Sequence, residues 1–248
     1  MTTRVRRGRP RVVVLTLGIL LTAVSTRPLC AQPASASAEH MSERTSMLLV
    51  NRAEVDSGRD AVGWEIRGWT GTPQRRLWVS TEGSVEARRL DHAEAAVLAA
   101  RAVSAWWDVV GGVRVDREHD GRGAWGVVGV HGLAPYRFEA ESTLAVSGDG
   151  LVQWRARVEH TLLVTNRWIA QPSYEVDALS RYDDARGRGR GVGVTTAGLR
   201  VRYEIRREFA PYVGVSWQRA WNGTATDRRL HHVPIATREA VLGLRVWW

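Results

Sequence analysis

Apolar and polar residues alternate one by one through successive segments of the chain, each of roughly ten residues. The last nine residues show the pattern clearly, because every second position from Ala240 to Trp248 carries an apolar side chain. Successive side chains of a β-strand point to opposite faces, so the alternation predicts strands with two different faces. Repeated strands of this length are typical of transmembrane β-barrels.

Twelve segments show this alternation, an even number as bacterial outer-membrane barrels have. Short turns, such as 209–211, alternate between them with longer or more polar links, such as 86–91 and 222–234. The fold class is therefore predicted to be all-β, a transmembrane up-and-down antiparallel β-barrel of about twelve strands. The segment 94–104 is rich in alanine and could equally form a helix on intrinsic propensity. The segments are 46–55, 62–68, 76–85, 94–104, 107–116, 124–132, 136–146, 152–159, 167–177, 197–206, 212–218 and 240–248.

The charged faces of these strands are predicted to line the barrel interior. An arginine that faces lipid at mid-bilayer costs roughly 2–4 kcal/mol, and one face of 197–206 alone carries several charges. Such lumen charges could form an ion path, or they could simply fill a narrow interior with arginine–carboxylate pairs. The candidate lumen charges are Asp108, Arg114, Asp116, Glu139, Glu141, Arg155, Arg157, Glu159, Arg200, Arg202 and Glu204.

The beginning of the chain has the features of a secretory signal peptide: a basic start, the apolar run 12–24, and then small residues, with possible cleavage after Ala31 or Ala38. Cys30 is the only cysteine, so cleavage after Ala31 would leave no cysteine for disulfides or thiolate chemistry. We predict a signal peptide at 1–31, a short periplasmic N-terminal segment at 32–45 and a barrel at 46–248, located in the cell outer membrane.

The chain is basic, with a formal net charge of +9, and all 35 of its basic residues are arginine. No isolated basic patch with interleaved aromatic residues indicates nucleic-acid binding. An exported protein also rarely meets nucleic acid. We therefore expect no nucleic-acid partner.

Four segments resemble the copper resistance protein B family: 104–116, 132–141, 162–172 and 199–215. The most specific is the run from Arg202 to Tyr212, and the resemblance extends over most of residues 45–248. It implies an outer-membrane barrel that helps Gram-negative bacteria withstand copper, by binding copper ions or passing them outward. Implied partners are copper ions, outer-membrane lipid, and periplasmic copper oxidase or efflux components.

The sequence departs from that family before the barrel. Members usually carry a long segment rich in methionine and histidine, whose thioether and imidazole groups suit copper. The corresponding segment here holds only His40 and Met41, with Met47 nearby. These three residues are the candidate metal ligands. Either the barrel acts alone or the role of copper sequestration has been lost.

For the remaining candidate residues, their positions in the sequence pattern favour structural roles. His231 and His232 lie in a predicted outer loop, His160 near a membrane interface, and His131 inside the barrel. Ser142 is on the predicted lipid face without a histidine in a neighbouring register, so no catalytic residue and no enzyme is predicted. Two alternative functions stay open: a small-solute channel or porin without metal specificity, and an outer-membrane lipid hydrolase.

Overall fold

A computed structural model of the chain describes residues 44–56, 61–118 and 121–248. These residues form antiparallel β-strands, one α-helix and one 3₁₀ turn at Pro135–Arg137. The helix, α1, is Asn222–Leu230. The strands are β1 (Thr45–Asp56), β2 (Ala61–Gly71), β3 (Arg75–Glu86), β4 (Arg89–Ala102), β5 (Trp107–Glu118), β6 (Gly121–Ala134), β7 (Phe138–Ser147), β8 (Val152–His160), β9 (Leu162–Leu163), β10 (Trp168–Leu179), β11 (Gly191–Tyr203), β12 (Phe209–Ala220) and β13 (Ala236–Trp247).

The sheet closes on itself. Strands that are neighbours in sequence pair antiparallel, except β8 and β9, and β1 pairs with β13 through contacts such as Leu49 opposite Trp247. β8 and β9 both pair with β10 and are separated only by Thr161, so they are two parts of one strand. The described residues therefore form a closed barrel of twelve strands, which confirms the predicted fold class.

The alanine-rich segment is a strand and not a helix. It lies in β4, where Ala96 and Ala100 face the interior and Val97 faces outward. Alanine has high intrinsic helix propensity, but β4 is hydrogen-bonded on both sides, to β3 and to β5. Pairing and the alternation of faces override the local preference.

The two ends of the barrel differ in their connections. At one end, which we call the inner end, the links are short turns, and β1 begins and β13 finishes there. The opposite end carries two long connections, 180–190 and 221–235, the second of which contains α1. Longer loops mark the external side of bacterial barrels, so we call this the outer end.

Three local features differ from the sequence-based expectation. The link expected at 86–91 is a two-residue turn, because Ala87 and Arg88 take left-handed φ values of 46° and 68° that suit a tight hairpin. The turn expected at 209–211 belongs to β12, and the chain turns at 204–208 instead. Helix α1 lies in the connection 222–234, for which only a longer or more polar link was predicted.

The exterior of the barrel is mainly apolar between its two ends, and the interior is mixed. Buried apolar side chains, including Val110, Val127 and Ala145, form a cluster on the inner face, beside the charged residues. No helix in the described part of the chain is long and apolar enough to span a bilayer. Outward-facing apolar residues that remain exposed include Val79, Val97, Val113, Val128, Leu144, Val213 and Leu242.

Candidate functional site

Four carboxylates stand side by side on one wall of the lumen. Glu65 on β2, Glu82 on β3, Glu94 on β4 and Asp116 on β5 each lie directly opposite the next in the strand pairing. We call these four residues the carboxylate row. Like charges directly opposite one another destabilise a sheet, so the row needs compensating cations.

Two arginines from the opposite wall supply much of that compensation. Arg155 on β8 reaches Glu94 through two parallel contacts of 3.2 Å and Glu82 at 3.4 Å. Arg157, two residues further along, donates to Glu65 at 3.1 Å and to Glu175 on β10 at 2.9 Å. These guanidinium groups therefore bridge the lumen between β8 and the strands β2, β3 and β4.

Glu65 is the most heavily paired member of the carboxylate row. Arg52 on β1 and Arg67 on β2 approach its oxygens at 3.0 and 2.8 Å, in addition to Arg157. Arg67 also pairs with Glu141 on β7, which ties β2 to the far wall. Removing one partner of a buried ion pair costs about 3–5 kcal/mol because it leaves an uncompensated charge. This network therefore links β1, β2, β7 and β8 across the lumen.

Arg114 on β5 belongs to a second chain of contacts across the lumen. It approaches Glu94 at 3.6 Å and donates to the amide oxygen of Gln153, whose nitrogen donates to Asp177. Its guanidinium also lies 5.0 Å from the ring of Trp125. The same strand thus contributes a carboxylate to the row and a cation that helps to neutralise it.

A further cluster lies nearer the seam between β1 and β13. Arg200 on β11 donates to Glu54 at 2.6 Å, and the hydroxyl of Tyr212 donates to the same carboxylate at 2.9 Å. Arg202 donates to Gln171 at 2.8 Å, and Gln171 in turn donates to Glu159 at 2.7 Å. The strands on this side are therefore also linked by charged hydrogen bonds.

An internal cavity of about 110 Å³ lies beside the carboxylate row. It is lined by Glu82, Glu94 and Arg155 and, towards the inner end, by Trp78 and His131. A cavity of this size has room for a few water molecules. The side chains of Arg155 and Arg157 cross the lumen at this level.

The inner end of the lumen is aromatic. Trp78 meets His131 edge to face at a ring distance of 6.3 Å, and Arg76 lies 5.5 Å from the ring of Trp69 while pairing with Asp108 at 3.1 Å. His131 lies directly opposite Asp108 on one side and Glu141 on the other. Within residues 44–56, 61–118 and 121–248, no group of three or more histidine, cysteine or acidic side chains is arranged to hold a metal ion.

The connection 180–190 folds into the outer mouth. Arg186 pairs with Asp116 at 2.9 Å and with Asp183 at 2.7 Å, and its guanidinium lies 5.6 Å from the ring of Trp125. Arg188 pairs with Glu118 at 2.8 Å. We call residues 180–190 the plug, since Arg186 contacts Asp116 of the carboxylate row and Arg188 contacts Glu118, two residues further towards the outer end.

Helix α1 fastens the plug. The hydroxyl of Thr224 accepts a hydrogen bond of 2.8 Å from the backbone N–H of Gly189. The hydroxyl of Tyr182 donates to Asp227 at 2.6 Å, and this bond raises the pKa of Tyr182 to about 12. The residue before the helix, Trp221, also donates through its indole nitrogen to Thr195 on β11 at 2.9 Å.

The candidate lumen charges lie on the inward face or at its inner rim. Asp108, Glu141, Glu159, Arg200 and Arg202 line the lumen as described, whereas Glu139 is exposed at the inner rim. Glu204 lies in the turn after β11, 3.8 Å from Arg202. Several other charged residues of the lumen were not among those predicted, although most of them share the inward parity of their strands. These are Arg52, Glu65, Arg67, Glu82, Glu94, Glu175, Asp177, Arg186 and Arg188.

The other candidate residues are scattered. Met47 lies on β1 opposite Trp69, while His40 and Met41 lie outside the described residues, as do the signal peptide and nearly all of 32–45. The ring of His160 stacks on Phe138 at 4.5 Å. His231 is exposed at the end of α1.

The closed sheet, apolar exterior and charged lumen define a β-barrel of the membrane-spanning class. Its fold is similar to that of the NanC porin, with a TM-score of 0.54, 14% sequence identity and coverage of 80% of this chain and 98% of that one. Residues 44–248 match the family described as copper resistance protein B precursor (CopB). The chain belongs to this family.

Two relatives share that description. The chain is 43% identical over 185 residues to a copper resistance protein B from Escherichia coli, covering 75% of this chain and 62% of the relative. It is 35% identical over 211 residues to a copper resistance protein B homolog from Pseudomonas syringae pv. tomato, covering 84% of this chain and 72% of the relative. The matched region is thus less than two thirds of the length of the Escherichia coli relative.

Proposed function

We propose that the protein supports copper tolerance from the outer membrane, as a barrel whose lumen binds copper ions or passes them outward. The observation that carries this proposal is the carboxylate row, four acidic side chains in continuous register along one lumen wall. Family membership supplies the connection to copper. The apolar exterior and the placement of the long connections at one end support the outer-membrane location.

The chemistry of the lumen suits the divalent ion. Carboxylate oxygens and imidazole nitrogen accept Cu²⁺, whereas Cu⁺ prefers thioether and thiolate sulfur. Copper would meet Met47 and His131 near the inner end and then the carboxylate row. For the ion to bind each carboxylate of the row in turn, the arginine paired with that carboxylate, such as Arg155, would have to move away from it. In this proposal the barrel is gated and copper is its cargo.

A copper-tolerance assay tests the proposal directly. A deletion strain is complemented with the unchanged protein, with Glu82→Gln/Glu94→Gln, or with the matched control Asp149→Asn/Asp184→Asn, whose side chains are exposed in outer connections. We expect the row variant to lose tolerance at equal barrel abundance and the control to retain it. Full tolerance in the row variant would contradict a role for the row.

A binding measurement separates the lumen from the N-terminal candidates. The refolded full chain is titrated with Cu²⁺ and compared with a His40→Ala/Met41→Ala variant and with the row variant. Binding that survives the N-terminal changes and disappears in the row variant supports the lumen. The reverse pattern would assign copper to the segment before the barrel, and no binding in any form would remove the copper proposal.

We propose that this role is not enzymatic. Ser142 lies between Val130 and Ala156 on the outward face and accepts a hydrogen bond of 3.0 Å from the indole nitrogen of Trp154. Its closest cross-strand neighbours are therefore aliphatic, which supports a structural role over that of a nucleophile. Loss of a lipid-hydrolysing activity in Ser142→Ala would overturn this view. Periplasmic copper oxidase or efflux components would act on the same ions at the inner end.

A further inference from the structure

Two pairs of arginines face each other on the outside of the barrel. Arg117 on β5 lies directly opposite Arg122 on β6, and Arg75 on β3 lies directly opposite Arg101 on β4. All four are exposed and share the outward parity of residues such as Val113. Like charges placed directly opposite one another destabilise a sheet, so each pair lowers the stability of the isolated protein.

These outward arginines differ from the arginines of the lumen. Arg155 and Arg157 each contact several carboxylates. By contrast, none of the four outward guanidinium groups meets a carboxylate or hydrogen-bond acceptor among the described residues. A single anion lying between two directly opposed guanidinium groups would remove their repulsion and accept hydrogen bonds from both.

The positions of the pairs match the two faces of a bilayer. Arg101 and Ala93, the residue opposite Arg117, lie eight residues apart on β4. At roughly 3.3 Å per residue and a strand tilt of about 40°, this corresponds to ~20 Å along the barrel axis. The apolar band of an outer-membrane barrel is about 25 Å tall. The two pairs therefore lie close to opposite edges of this band.

Two further outward arginines also lie near one end of the barrel. Arg219 on β12 and Arg238 on β13 lie at the outer end, and the guanidinium of Arg219 lies 4.4 Å from the ring of Trp221. Outward positions between the two ends carry residues such as Val113 and Val128. These outward arginines thus lie at the membrane interfaces, where headgroups begin and where the free-energy cost of a lipid-facing arginine falls to about 0–1 kcal/mol.

We propose that the pairs Arg117–Arg122 and Arg75–Arg101 bind the phosphate groups of lipids, one pair at each face of the membrane. A phosphate offers several acceptor oxygens, and the planar guanidinium group can donate two parallel hydrogen bonds to them. One headgroup between two guanidinium groups would therefore neutralise the pair and fix the height of the barrel in the bilayer. This inference rests on the membrane location in the proposed function, but not on copper.

Native mass spectrometry of the refolded full chain tests this proposal without copper present. The probes are phosphatidylglycerol, bisphosphorylated lipid A, the phosphate-free lipid diacylglycerol, and inorganic phosphate. We expect both phosphorylated lipids to remain bound and diacylglycerol not to. Inorganic phosphate that displaces them completely at equal concentration would show a site for the free anion and overturn the assignment to lipid.

Two double variants localise the binding. Arg75→Gln/Arg101→Gln and Arg117→Gln/Arg122→Gln should each lose one of the phosphorylated lipids that the unchanged protein retains, because each removes one of the two pairs. The matched control Arg137→Gln/Arg167→Gln removes two exposed arginines from inner-end turns and should leave binding unchanged. Equal binding in all three variants would overturn this inference while leaving the proposed function intact. A chain that stays soluble without detergent would instead overturn the membrane location itself.

Discussion

Arg155 and Glu94 join opposite walls of the barrel through two parallel contacts of 3.2 Å. Arg155 lies on β8 and Glu94 on β4, so the pair spans the lumen instead of linking neighbouring strands. Arg155 is at the same time 3.4 Å from Glu82 and 3.7 Å from Asp177. The Arg155 side chain therefore crosses the lumen and contacts carboxylates on β3, β4 and β10.

Replacing Arg155 by alanine should weaken the fold and open the lumen. Glu94 and Glu82 would lose their shared cation, and removing one partner of a buried ion pair lowers the free energy of unfolding by about 3–5 kcal/mol. The removed side chain would also enlarge the cavity beside the carboxylate row. Urea unfolding in lipid vesicles measures the stability, and single-channel recording in a planar bilayer measures the conductance, which should rise.

The double variant Arg155→Ala/Glu94→Gln is the control for that prediction. Neutralising Glu94 removes the uncompensated charge, so part of the lost stability should return while the conductance stays high. Stability losses that simply add would show that the two residues act independently. Unchanged conductance in Arg155→Ala would mean that the obstruction lies elsewhere, for example in the plug.

Loosening the plug should raise the conductance with little effect on stability. Asp227→Asn replaces the charged acceptor of the hydrogen bond from Tyr182 by a neutral one, while the strands stay untouched. Asp184→Asn, an exposed change within the plug, is the matched control and should behave as the unchanged protein does. Longer open times in Asp227→Asn alone are expected in planar bilayers. Identical gating in both variants would contradict a fastening role for α1.

Two adjacent glycines on β5 should respond very differently to alanine. A Cβ at Gly112 would lie 2.1 Å from the carbonyl oxygen of Val97, so β4 and β5 would have to separate. A Cβ at Gly111 would lie no closer than 3.8 Å to the carbonyl oxygen of Val127. In urea unfolding, we expect Gly112→Ala to lower the free energy of unfolding by about 1–3 kcal/mol, and Gly111→Ala to leave it unchanged or raise it slightly. Equal effects would contradict the pairing described here.

Spin labels on neighbouring residues test the two faces of the sheet. Leu144 on β7 faces outward and is 47% exposed, whereas Thr143 lines the internal cavity. With Cys30 replaced by serine, a nitroxide at Leu144 should be relaxed by oxygen dissolved in lipid. A nitroxide at Thr143 should respond instead to a water-soluble nickel complex. Reversed accessibilities would mean that the inward and outward faces are exchanged, and would contradict a barrel whose outward face contacts lipid.

The fold could be predicted from sequence because a barrel strand carries its own signature. Alternation at 107–116 and 152–159 is regular, since one face meets lipid and the other meets charge. Even β4, with its alanine-rich sequence, could be recognised by its place between other strands. Helix α1 could not, because the sequence from Asn222 to Leu230 has no apolar periodicity and is stabilised by contacts with β11 and the plug.

The candidate site could be predicted only in part. Parity placed Arg155, Arg157 and Glu141 in the lumen, but it does not reveal which acid each arginine meets across the barrel. Glu82 and Glu94 lie in less regular segments, and their alignment depends on the register between β3 and β4. The plug was missed because Arg186 lies in a connection, whose sequence alone does not show that it folds inward.

The seam between β1 and β13 has a consequence for biogenesis. Leu48 and Trp248 exchange two backbone hydrogen bonds of 3.1 and 2.9 Å, although they are separated by almost the whole described chain. Pairing between such distant segments is slow to form, and until it does both edge strands can add to other chains. Nascent molecules would therefore spend an extended time vulnerable to aggregation, and chaperones that shield those edges should limit the yield of mature protein.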